Sequence, residues 1–153
     1  MRIFIDGDGS PVKSDVFVIS ESFSVPSVLV TSIDHYTYHE MPGNVEVVYV
    51  DKGVDSADFR IVGMIQTGDI LVTHDYGLAS LALEKGARVL HQLGYEFTKE
   101  NIDSFLTNRY FGQLTRKAGK RTKGPKAYTK EDRDNFQQKL IEVLQENTQK
   151  PKK

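Results

Sequence analysis

The sequence predicts an α/β protein, a three-layer, doubly wound and mostly parallel sheet followed by a C-terminal helical extension. Three observations lead there. Short unbroken apolar runs recur along residues 1–97, bounded by Gly, Pro or Asp. Strands of that kind are buried on both faces, as in parallel sheets. Stretches with apolar residues three and four apart separate these runs, so strand and helix alternate. The length, 153 residues, suits one such domain and leaves little room for two.

Ile3, Phe4 and Ile5 make the first run, a strand expected over Arg2–Asp6. Gly7, Gly9 and Pro11 then impose a turn, and Pro11 suits the first turn of a helix. Val12, Val16, Ile19 and Phe23 recur at helical spacing and predict a helix from Pro11 to Phe23. Ser27–Thr31 reads as a second strand. A polar stretch, Asp34–Asn44, leads to a third strand through Val45, Val47, Val48 and Val50. Asp55 opens a helix with Ala57, Ile61, Met64 and Ile65 on its apolar face, and Gly68 stops it. Ile70, Leu71 and Val72 form a fourth strand ending in Thr73-His74-Asp75. The next helix carries Leu78, Leu81, Ala82 and Leu83 and stops at Gly86; Ala87–Leu90 is the fifth strand.

After Thr98 the pattern changes. Thr98, Glu100 and Asn101 mark a helix start, continued by Ile102, Phe105, Leu106 and Leu114. A Gly- and Lys-rich loop, Ala118–Ala127, follows. A last helix is expected from the N-cap Thr129 through Phe136, Leu140, Val143 and Leu144, with residues 149–153 frayed. The expected organisation is one domain, with an α/β core over 1–97 and a helical extension over 98–148 that contains a basic loop, 116–127.

The composition narrows the chemistry. There is no cysteine, which removes disulfides, thiolate metal sites and thiol catalysis. No apolar run approaches a bilayer span, and the N-terminal run is too short for a signal peptide, so a cytoplasmic location is expected. The formal net charge of -1 conceals an asymmetry. Residues 1–60 hold ten acids against four bases, whereas Ser104–Lys130 holds eight Lys or Arg and no acid. Such a split points to an anionic partner, a solvated basic face being the plain alternative.

In an open parallel sheet, ligands bind beyond the carboxyl ends of the strands. Three aspartate groups are expected there. Asp6 ends the first strand, with Asp8 two residues on. Asp55 and Asp58 start the helix after the third strand, and Asp75 ends the fourth strand. Each has a plain role available: helix capping for Asp55 and Asp75, the positive helix end for Asp58, and a turn for Asp8. Together they make a repulsive cluster with no evident cation to pair with it. A hard divalent ion, Mg²⁺ or Mn²⁺, suits such oxygen donors. His74 is the rival ligand, but strand alternation points it away from Asp75. His35, His39 and His91 show no metal-ligand spacing.

Asp6-Gly7-Asp8-Gly9-Ser10-Pro11-Val12, Gly53-Val54-Asp55-Ser56-Ala57-Asp58 and Thr73-His74-Asp75-Tyr76-Gly77-Leu78-Ala79 resemble motifs of the YaiI/YqxD family of bacterial proteins. The basic stretch Arg116–Pro125, followed by Asp132-Arg133 and Phe136, looks like that family's late motif. The resemblance runs over nearly the whole chain, with four motifs in order. That family is similar to the PIN-like nucleases, which hold Mg²⁺ or Mn²⁺ with aspartates at strand ends. The likeness implies that Asp6, Asp58 and Asp75 are the core metal and catalytic positions, with Asp8 and Asp55 as helpers. This chain has Ser10 where family members often carry Cys.

The expected activity is thus metal-dependent hydrolysis of RNA or another single-stranded nucleic acid. Carboxylate-held metal would activate water and neutralise the phosphate. Arg109, Arg116, Lys117, Lys120, Arg121, Lys123 and Lys126 would bind the nucleic-acid backbone. Tyr110, Phe111 and Tyr128 flank this stretch as candidate stacking residues, Phe111 being better suited to the core. Three rivals stand beside this reading. A haloacid-dehalogenase-like phosphatase would use Asp6 as nucleophile and Asp8 as acid, but Asp69 precedes its strand instead of following it. An RNA-binding module would use the basic stretch without chemistry. A toxin-type nuclease would carry a protein partner. The sequence leaves the oligomeric state open.

Overall fold

The structure, a computed structural model, describes residues 1–32, 43–51, 56–107 and 127–148. Among the described residues the strands are β1 (Ile3–Asp6), β2 (Ser27–Ser32), β3 (Val45–Val50), β4 (Ile70–Val72), β5 (Arg88–Leu90) and β6 (Glu96–Phe97). The helices are α1 (Lys13–Ser22), α2 (Ser56–Met64), α3 (Tyr76–Glu84), α4 (102–107) and α5 (Lys130–Thr148). The strands form one sheet in the order β3-β2-β1-β4-β5-β6. All neighbours are parallel except β5 and β6, which pair antiparallel. The order reverses direction between β1 and β4, and that switch point leaves a crevice at the carboxyl edge of the sheet.

Alternation along the strands builds the two cores. Ile3, Ile5, Leu29, Ile70, Val72 and Leu90 face one way, against Val16 and Ile19 of α1 and Phe136, Leu140, Val143 and Leu144 of α5. Phe4, Val28, Val30, Leu71 and Val89 face the other, against Ile61 of α2, Leu78, Ala79 and Ala82 of α3, and Ile102 of α4. The three-layer, mostly parallel architecture expected from the sequence is therefore present. The C-terminal helix is part of it. Its four core side chains are fully buried, and each contributes about 1.5–3 kcal/mol by leaving water. Among the described residues, no helix is long and apolar enough to cross a membrane.

The expected helix starts have the local chemistry that makes them. Thr98 and Asn101 exchange hydrogen bonds, Thr98 N–H to Asn101 Oδ1 at 2.8 Å and Asn101 N–H to Thr98 Oγ1 at 3.2 Å. Thr129 and Asp132 do the same, each at 3.0 Å. Both are reciprocal caps that satisfy otherwise orphaned N–H groups. One expectation fails and one strand was not anticipated. Leu81, assigned to the apolar face of α3, is 52 % exposed; α3 buries the narrower stripe of Leu78, Ala79 and Ala82. β6 carries no sequence signal, because two residues at a sheet edge are too few to show alternation.

Candidate functional site

The first aspartate is placed by its strand, and the second by a glycine. Asp6 closes β1 at the switch point, and its Oδ2 accepts a hydrogen bond from Thr73 Oγ1 at 2.9 Å. Gly7 donates its N–H to Val30 O at 2.8 Å. A Cβ on Gly7 would lie 2.7 Å from Leu29 Cδ1 and 3.0 Å from Val30 O, so only glycine lets the chain lie this close to β2. That approach sets Asp8 over the end of β2. Its Oδ1 accepts from Thr31 Oγ1 at 2.7 Å and from Ser32 N–H at 3.0 Å.

Asp75 begins α3. It is the N-cap, with Oδ1 accepting from Leu78 N–H at 3.1 Å. Thr73 Oγ1, which binds Asp6, also accepts from Asp75 N–H at 3.0 Å, so one hydroxyl ties the ends of β1 and β4 together. Asp58 sits in the first turn of α2, at the positive end of the helix.

These residues meet in a cleft of about 230 Å³ lined by Asp6, Asp8, Asp58 and Asp75, together with Ser32, Asp51 and His74. Burial, together with the Asp75 and Asp8 charges, pushes the Asp6 carboxyl above the usual carboxylate range. The Thr73 hydrogen bond and His74 oppose that rise without cancelling it. The donors facing the cleft are almost all oxygens, the set preferred by a hard cation. Among the described residues, however, no group of three or more His, Asp or Glu converges closely enough to enclose a metal ion. The carboxylates line the cleft without closing on one point.

Asp51 escaped the sequence reading, and His74, weighed there as a rival ligand, was set aside. Asp51 follows β3 directly, at a strand end like the one that singled out Asp6. His74 lines the cleft, against the expectation that strand alternation would turn it away. β4 ends at Val72, so alternation does not extend through Thr73 and Asp75. Several expected site residues lie outside the described residues: Asp55, Arg109, Arg116, Lys117, Lys120, Arg121, Lys123 and Lys126, and also Tyr110 and Phe111. Tyr128 is described. It packs partly against the core, donates its hydroxyl to Gln92 O at 2.6 Å, and has the Arg133 guanidinium 5.2 Å from its ring centre. Arg133 also reaches Pro11 O at 3.1 Å and pairs with Asp15, so α5 braces the turn that carries Asp6 and Asp8.

Comparison with known proteins gives the chain's family. The model of the family described as "Uncharacterized BCR, YaiI/YqxD family" matches residues 4–146. The chain belongs to the YaiI/YqxD family. A UPF0178 protein of Enterococcus faecalis is 59 % identical over 145 residues, covering 94 % of this chain and 97 % of that one. A UPF0178 protein of Oceanobacillus iheyensis is 50 % identical over 144 residues, covering 94 % and 99 %. Among solved structures, the chain is similar to Rae1 (YacP) from Bacillus subtilis, with 17 % identity, a TM-score of 0.44 and coverage of 96 % and 99 %. The family match spans the Asp6, Asp58 and Asp75 motifs and the late basic stretch alike.

Proposed function

We propose that this protein is a metal-dependent nuclease acting on RNA or another single-stranded nucleic acid, with Mg²⁺ or Mn²⁺ as cofactor. One observation carries the reading: aspartates from the ends of separate elements line a single cleft at the switch point of the sheet. Asp6, Asp8, Asp58 and Asp75 are the residues that would hold the ion, with Asp51 added from the structure. An open carboxylate array suits Mg²⁺, which keeps several waters and needs only one or two direct carboxylates. When bound, the ion would supply an activated water and neutralise charge on the phosphate. The chain's own part is orientation. Thr73 fixes Asp6, Thr31 and Ser32 fix Asp8, and the α3 amide end fixes Asp75. Groups locked before substrate arrives avoid reorganisation during the reaction. The basic stretch from Arg109 to Lys126 would neutralise backbone phosphates.

The phosphatase alternative is weakened. Asp69 is buried at the opposite, amino edge of the sheet, bonded to Arg2 N–H at 2.9 Å and Gln66 N–H at 2.8 Å.

Asp75→Asn is the sharpest test, because Asn caps a helix about as well as Asp. The substitution is expected to leave the melting temperature in chelator close to wild type. Cleavage of mixed RNA and DNA oligonucleotides in Mn²⁺ should fall by more than about 100-fold, beyond the loss typical of residues that only support a ligand. Equal cleavage by both proteins would remove the nuclease reading.

A further inference from the structure

A second cavity adjoins the carboxylate cleft, and His74 lines both. It measures about 450 Å³, within the range of sites that take small organic groups. Its other walls are Tyr76, His91, Gln92, Leu93, Tyr128 and Asp132. We infer that this cavity is a nucleobase subsite, holding a base of the strand whose phosphate occupies the carboxylate cleft. The inference rests on the nuclease reading above and deepens it.

The lining selects a base over other parts of a nucleotide. It is mainly apolar, whereas the carboxylate cleft is mainly polar. Among the described residues that line it there is no Lys or Arg, and Asp132 contributes a carboxylate. A phosphate is therefore disfavoured here, and a neutral aromatic ring is suited. The aromatic walls are held from behind. His91 stacks on Tyr95 with ring centres 4.5 Å apart and planes 9° apart, and Tyr76 packs against Phe97 and Phe105 at 5.7 and 5.4 Å. The His91 Nδ1 accepts from Leu93 N–H at 3.0 Å, which fixes the loop carrying Gln92. Burial, with His74 nearby, lowers the His91 pKa to about 4, so its ring is uncharged at neutral pH. The Tyr128 hydroxyl to Gln92 O bond spans from the start of α5 to that loop and sets the separation of the two walls. Gln92 then offers a side-chain amide, a donor and an acceptor together, which suits a base edge, while flat rings take the base face.

The test uses the full chain in chelator with adenosine, guanosine, cytidine and uridine as separate probes and ribose as control, followed by NMR. Saturable shifts are expected at Gln92, Leu93 and Tyr128, with affinity differing by about fivefold or more between the best and worst base. Gln92→Ala should flatten that preference, and Leu93→Glu should weaken every nucleoside. Both side chains are at least partly exposed, and the Gln92 bond to Tyr128 uses its backbone, so both variants keep the fold. Nucleosides that leave these resonances unmoved, bind no better than ribose, or bind both variants like wild type would overturn the subsite. The two readings fail separately. Nucleoside binding with Asp75-independent cleavage removes the nuclease and keeps the pocket. Asp75-dependent cleavage without nucleoside binding removes the pocket alone.

Discussion

Asp6 and Asp69 sit at opposite edges of the same sheet, and they differ in how fully their surroundings answer the carboxylate. Asp69 is buried at the amino edge and fully answered. Two backbone N–H groups donate to it, and the Arg2 guanidinium lies 3.7 Å away. Asp6, at the carboxyl edge, receives one hydroxyl and shares its cleft with other carboxylates. Burial raises its pKa, and the acidic neighbours add to the rise. A fold gains nothing from such a placement by itself, so the carboxyl edge carries a cost that a bound cation would relieve.

The contrast can be broken by substitution. Asp69→Ala strips two amides and Arg2 of their partner in a buried turn. The expected cost is about 3–4 kcal/mol, lowering the melting temperature by roughly 10 °C whether or not metal is present. A change of only a degree or two would show the amino edge to be as dispensable as the carboxyl edge.

His91 tests whether the carboxyl edge is the acid-sensitive end. Its pKa is depressed to about 4 from 6.5, chiefly by burial. The unfolded chain therefore binds more protons than the folded one between those values, and stability falls as pH drops from about 6.5 towards 4. The full effect is about 3 kcal/mol. His91→Gln should flatten the stability profile across that window. A wild-type profile already flat there, by chemical denaturation at several pH values, would exclude this role.

The smallest effect is expected at Asp6. Its raised pKa means the folded state holds its proton to higher pH than the unfolded state, so ionisation costs stability above about pH 4. Asp6→Asn should raise the metal-free melting temperature, by no more than about a few degrees. It should also shrink the further rise produced by excess Mn²⁺, because binding to the native state is what stabilises it. A variant less stable than wild type in chelator would make Asp6 a second Asp69.

The apolar runs Ile3–Ile5, Val28–Val30 and Ile70–Val72 announce their strands, because a strand covered on both faces needs apolar residues at every position, while the valines of Val45–Val50 announce an edge strand that leaves Glu46 and Tyr49 exposed. Thr98, Thr129 and Asp75 announce their helices, because capping is settled within four residues. Asp6, Asp8, Asp58 and Asp75 could be picked out for the same reason, each standing at a strand or helix end. Their meeting in one cleft depends on the strand order, which places β4 beside β1 although Ile70 lies 64 positions after Asp6. Thr73 bridging Asp6 and Asp75, and Gly7 drawing Asp8 onto Thr31, are contacts between distant segments with no local signature. The same holds for the turn of His74 into the cleft and for the wall that Tyr128 shares with Gln92. Local physics, in the form of burial patterns and caps, wrote the elements and their acidic ends into the chain. Only packing of the layers decided which of those ends face one another, because that depends on distances between residues far apart in sequence.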